Sequence, residues 1–169
     1  MTLLEDLTTL ADRWQGHFHQ EQLRALIATH SSPLSEVQAH TLTCIASGRS
    51  FDSIVADYDS PLPTVKWRIQ RIHRIYGTSS SSVAVIAALR AGHITLEDID
   101  TKWEGSEATT REVQAMQAVA DYGTNKAAAA ALGWVDTQVK GFLQRAQDKA
   151  HAANRVDLVV RAYREGWVR

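Results

Sequence analysis

The chain has 169 residues, 18 Lys+Arg against 19 Asp+Glu, a net charge of −1 and a single cysteine. That length suits one domain of ordinary size or two very small ones. No run approaches the ~18 apolar residues of a membrane span, and one cysteine excludes an internal disulfide and fits a reducing cytoplasm.

Residues 1–33 hold two Arg against four acids, and their acidic start lacks the basic n-region of a signal peptide. "LLEDLTTLADRW" and "QEQLRALIATH" read as two amphipathic helices, an N-terminal arm that packs on the next domain or mediates association. His17 and His19 are the one close histidine pair. Spacing by two suits a strand rather than this helical stretch, and no cysteine is near, so no metal and no cofactor is expected.

Next, "SEVQAHTLTCIAS" (35–47) places Val37, Leu42, Ile45 and Ala46 on one helical stripe, with Gly48 as a left-handed stop. Cys44 within it reads as a small buried core residue. "SFDSIVADY" (50–58) starts at a Ser50 cap and is about two turns long. After "DSP", Pro63 is tolerable in the first turn of a helix over 63–76. There Val65, Ile69, Ile72 and Tyr76 form the apolar stripe, and Lys66, Trp67, Gln70, Arg71, His73 and Arg74 face outward. "SSVAVIAALRAG" (81–92) is apolar nearly all round, more than a thin domain needs for its own core, so it is expected to pack against another helix.

Residues 95–107, "TLEDIDTKWEGSE", carry one Lys and five acids and read as an acidic linker that spans at most ~45 Å when extended. Further helices are expected at "TREVQAMQAVADY", "NKAAAAALG", "DTQVKGFLQRAQDKAH" and "RVDLVVRAYREGW". Ala127–Ala131 reads as a scaffold whose small side chains let the next helix approach closely. By segment the charge is −2 (1–33), +2 (34–94), −4 (95–107) and +3 (108–169). The cations therefore lie in two blocks, which the near-neutral total conceals.

Those blocks repeat. A shift of 74 aligns Ala46 with Ala120, Val65-Lys66 with Val139-Lys140, and Gln70-Arg71 with Gln144-Arg145. It also aligns Ala88, Arg90 and Gly92 with Ala162, Arg164 and Gly166. No gap is needed from Leu34/Ala108 to Ile94/Val168, so the unit of four helices is read as duplicated. The domains expected are 34–94 and 108–169.

A short helix, a tight turn and a cationic helix make a helix-turn-helix. The first copy carries "LSEVQAHTL", "ASG", "TVK" and "RAGHI"; the second carries "TTREVQAM", "TNKAAAAALG", "QVK" and "REGWV". In this order and spacing, both resemble the LuxR-type (GerE-type) helix-turn-helix domain, over roughly seven-tenths of the chain. The resemblance implies an all-α fold of two tandem four-helix LuxR-type domains preceded by a short helical arm. It implies that Lys66, Trp67 and Gln70 enter a major groove, with Arg68, Arg71 and Arg74 on phosphates; packing beneath the N-terminal arm is the other reading of Trp67. Lys126, Lys140, Gln144 and Arg145 are the corresponding candidates in the second copy, where Asp148 repels phosphate. The closing helices, through Val83, Ile86, Ala87, Arg90, Val159 and Tyr163, are the implied dimerisation or inter-domain surface. They would join as a pseudo-dimer within one chain or in a homodimer.

The first copy departs from the family with Tyr58-Asp59 in the turn and Pro61 at the cap. The second has Gly141, and Phe142 in place of the usual His, so the first copy is expected to be the better DNA binder. The function expected is sequence-specific binding of double-stranded DNA as a transcriptional regulator, with no enzymatic activity, in the cytoplasm at the nucleoid. No receiver or sensor region precedes the first copy, which points to a repressor or architectural factor of phage or mobile-element type. The alternative is an adaptor with degenerate helix-turn-helix domains, binding RNA polymerase or another regulator.

Overall fold

Caps written into the sequence set where each helix begins. The computed structural model describes residues 33–169; the expected arm, with His17 and His19, lies outside the described residues apart from Pro33. Helix α1 (Glu36–Ala46) opens with a capping box in which the Ser35 hydroxyl accepts from the Gln38 amide and the Gln38 side chain accepts from the Ser35 amide. Helix α2 (Phe51–Tyr58) starts at Ser50, whose hydroxyl accepts from Ser53 N–H. Asp59 then turns the chain with φ 45°, a left-handed conformation a short polar side chain tolerates. Helix α3 (Leu62–Ile75) has no side-chain cap; the Pro61 carbonyl takes the Thr64 and Val65 amides instead. Helix α4 (Ser81–Arg90) completes the first set. A 3₁₀ turn (Leu96–Asp98) precedes α5 (Thr110–Tyr122), α6 (Asn125–Leu132), α7 (Asp136–Ala150) and α8 (Arg155–Arg164). Among the described residues there is no strand, and no helix is long and apolar enough to cross a membrane.

The 74-residue shift is a property of the backbone as well as of the letters. Helix caps fall at Ser35 and Thr109, Ser50 and Thr124, Pro61 and Val135, and Ser80 and Asn154, each pair 74 apart. Left-handed residues fall at Asp59 and Gly133, Gly77 and His151, and Gly92 and Gly166, again 74 apart. The remaining pair, Gly48 and Gly123, is one residue longer because α5 runs further than α1. Thr109 and Glu112 even repeat the capping box of Ser35 and Gln38.

Packing is reciprocal between the two sets. Within each, the third helix lies on the first and second, and the fourth on the first and third. Across them, α4 packs on α8, α4 on α5 and α1 on α8. Exchanging the sets maps this list onto itself, the signature of an approximate two-fold relation. Glycines sit at both reciprocal contacts. A Cβ built on Gly48 would meet Asp157 Cβ at 2.9 Å, and one on Gly123 would meet Ser80 Cβ at 2.7 Å and Val83 Cγ2 at 3.2 Å; Val83 and Asp157 are themselves 74 apart. Asn154 fastens the first contact, accepting from the Val156 and Asp157 amides while its Nδ2 donates to the Gly48 carbonyl at 3.0 Å.

The apolar surplus of α4 is thereby accounted for within the chain. Ile86 and Val159 are buried, Val83, Ala87 and Tyr163 half-buried, and exposed Arg90 pairs with Asp121 of α5 at 3.0 Å. Residues 33–169 form one compact unit.

Two expectations need correction. The 95–107 segment is no extended tether: Ile99 and Thr101 are buried, and Trp103 stands edge-on to Trp167 at 4.8 Å. Arg164 donates to the Leu96 and Ile99 carbonyls at 2.6 Å each, and Arg161 donates to the Lys102 carbonyl. Its acids stay exposed while these alternate residues turn inward, so high charge and burial coexist in one strap. Val37 is 44 % exposed, not on the core stripe. The inward place in that first turn belongs to Gln38, which the capping box holds there.

Candidate nucleic-acid interface

On α3 the apolar stripe and the cationic face separate cleanly. Val65, Ile69 and Ile72 are buried, whereas Lys66, Trp67, Gln70, Arg71 and Arg74 are exposed. The helix carries four Lys+Arg and no acid. Trp67 is 59 % exposed, and the Arg71 guanidinium lies 5.6 Å from the centre of its ring, a cation–π spacing that holds both side chains against one surface. At the start of α3, Pro63 has no N–H and the Pro61 carbonyl takes the Thr64 and Val65 amides, so only the positive end of the helix dipole, not a set of open amides, favours an anion there.

Two side chains of α3 stand apart from that face. Arg68 is half-buried, its guanidinium 4.7 Å over the Tyr58 ring and 3.4 Å from Thr41 Oγ1, to which it donates. It ties α3 to α1 and α2. His73, expected outward, is half-buried with Nε2 3.1 Å from Ser81 Oγ at the start of α4. Burial lowers its pKa, favouring the neutral ring.

The equivalent face of α7 is differently wired. Lys140, Gln144 and Arg145 are exposed, as is Lys126 in the first turn of α6. Arg145 stacks on Phe142 at 4.6 Å and lies 3.9 Å from Glu112; Lys149 lies 2.8 Å from the same carboxylate. Gln144 donates to Asp148 at 2.9 Å. Glu112 is 1 % exposed. Burial pushes its pKa up, but the Lys149 ammonium and the Thr109 cap outweigh this and hold it below the ordinary carboxylate value. It is a fixed buried anion that draws on the cations above it.

The motifs give no role to Gln38 and Glu112, the buried pair that underlies this contrast. The shift of 74 carries the signal, because it pairs Gln38 with Glu112 and Arg74 with Asp148. Beside α1 lies a further feature, an open groove of about 990 Å³ whose lining includes His40, Cys44, Arg49, Tyr58, His93 and Asp98. No family model matches the chain, and neither curated proteins nor solved structures give a match.

Proposed function

We propose that the chain is a double-stranded DNA-binding transcriptional regulator, with both four-helix sets LuxR-type helix-turn-helix units and α3 as the main groove-entering helix. One observation carries this reading: α3 presents Lys66, Trp67, Gln70, Arg71 and Arg74 on one exposed, acid-free face while Val65, Ile69 and Ile72 anchor its back. The left-handed turn at Asp59 and the packing of α3 on α1 and α2 give that helix the setting of a recognition helix. Lys66 and Gln70 suit base edges, and Arg71 and Arg74 suit phosphates. Arg68, engaged by Tyr58 and Thr41, positions the helix. The reciprocal packing of the two sets favours an inverted, pseudo-palindromic site of about 20 bp, read in adjacent major grooves.

A salt titration on random duplex tests the reading. Three or more phosphate contacts give a log–log slope of about −2.7 or steeper. A second reading, an adaptor that docks on RNA polymerase or another regulator, draws on Tyr122 and Val135, both more than half exposed on the set where Glu112 holds Arg145 and Lys149. It predicts a flat slope and no duplex binding even at low salt.

A further inference from the structure

We propose that His40, Cys44 and Asp57 form a binding site for a divalent transition metal of the zinc class, in competition with Arg49. His40 and Cys44 stand one turn apart on α1, and Asp57 comes from α2. One ligand atom from each lies within 4.8 Å of the other two. His40 Nε2 and Cys44 Sγ are 3.6 Å apart. A tetrahedral zinc, with its sulfur ligand at about 2.3 Å and its nitrogen ligand at about 2.0 Å, sets those two atoms about 3.6 Å apart. The pair already has that spacing, and only the exposed Asp57 carboxylate has to close in.

The donor set is imidazole, thiol and carboxylate, the mixture of borderline ligands that suits zinc or cobalt over magnesium or calcium. Binding converts the Cys44 S–H into a metal-bound thiolate and releases the proton to solvent. Thiolate and carboxylate together then neutralise the dication. A cation stands there at present: Arg49 donates to Asp57 and, at 3.5 Å, to Cys44 Sγ, and its remaining bonds go to Ser53 Oγ at 2.7 and 3.1 Å. Arg49 also lines the groove beside α1, into which it can swing when a metal takes over Asp57 and Cys44. Three protein ligands leave a fourth position for water on that open side.

Cys44 is the chain's one cysteine, so a thiolate-to-cobalt charge-transfer band reports this site and no histidine elsewhere. Titrating the full chain with Co²⁺ is expected to raise that band to a one-to-one end point, with zinc displacing the cobalt. The surface changes His40→Gln and Asp57→Asn should each weaken cobalt at least tenfold without loss of helical circular dichroism. Arg49→Gln should tighten it about tenfold by removing the competitor. No band in the unaltered chain overturns the site, as does a band that His40→Gln and Asp57→Asn both leave unchanged. Unchanged or weaker affinity in Arg49→Gln overturns the competition.

Discussion

Helices α3 and α7 begin 74 residues apart, pack on equivalent neighbours, and face solvent with very different electrostatics. Lys66 and Lys140, Gln70 and Gln144, and Arg71 and Arg145 are the same residues at the same positions. In the second set, Arg145 and Lys149 lean on Glu112, Gln144 bonds to Asp148, and Phe142 carries the Arg145 guanidinium. The first set has Gln38 where the second has Glu112, and Arg74 where it has Asp148. Over its length α3 carries four cations and no anion, whereas α7 carries three cations and two anions. Two side chains thus separate a face free to meet phosphate from one whose charges are largely satisfied internally. Identical letters on two helices do not make equivalent surfaces when the helix beneath differs.

The sharpest test of this asymmetry is paired alanine substitution. On the proposed reading, changing Lys66 and Arg71 together is expected to lower duplex affinity about a hundredfold at low salt, each removing a base or phosphate contact of about 1–3 kcal/mol. Changing Lys140 and Arg145 together should cost less than about threefold. Fluorescence anisotropy on one labelled duplex, at one salt concentration, ranks the two pairs. Equal losses would erase the functional difference between α3 and α7.

A smaller effect separates the shared frame from the divergent faces. Gly48→Ala and Gly123→Ala each place a methyl within 3 Å of the opposite set, at a backbone φ that favours glycine. Overpacking and strain together are expected to destabilise by about 2–3 kcal/mol in denaturant unfolding. Gly133→Ala has the same kind of φ but nothing within 4 Å, so backbone strain alone, about 1 kcal/mol, should be its cost. If all three lose equally, the reciprocal glycine contacts contribute nothing beyond local conformation.

How legible these features are in the sequence depends on how local their causes are. Caps and left-handed stops are matters of a few neighbouring residues, which is why Ser50, Gly48 and Asp59 fall where the sequence places them. The stripe of Val65, Ile69 and Ile72 likewise needs only helical spacing. The strap at 95–107 reads as a tether because five acids dominate its composition, while Ile99, Thr101 and Trp103 turn inward, the Ile99 carbonyl accepting from Arg164 of α8 and Trp103 standing edge-on to Trp167. His73 escapes a local reading because its partner, Ser81, belongs to the following helix. The pairing of Glu112 with Lys149 joins side chains 37 residues apart, which no local pattern encodes.

The finest probe of the comparison is that carboxylate. Glu112 has a folded pKa below its ordinary value, so its charge contributes stability that is present above the unfolded pKa and is lost as pH falls through the folded one. Glu112→Gln keeps a residue able to close the capping box, as Gln38 does in the first set, and removes only the charge. It is expected to cost about 1 kcal/mol at neutral pH, since Lys149 and Arg145 are partly solvated and can turn to water. It should also flatten the acid limb of the stability curve. Freed of its anion, Arg145 should then raise duplex affinity about twofold, while Gln38→Glu in the first set should capture Arg71 and lower it. Denaturant unfolding from neutral to acid pH, read beside anisotropy on the same variants, tracks both effects. If stability shifts and affinity stays fixed in both substitutions, the buried residue at this position governs folding alone, and the contrast between α3 and α7 must arise from Asp148 and Phe142.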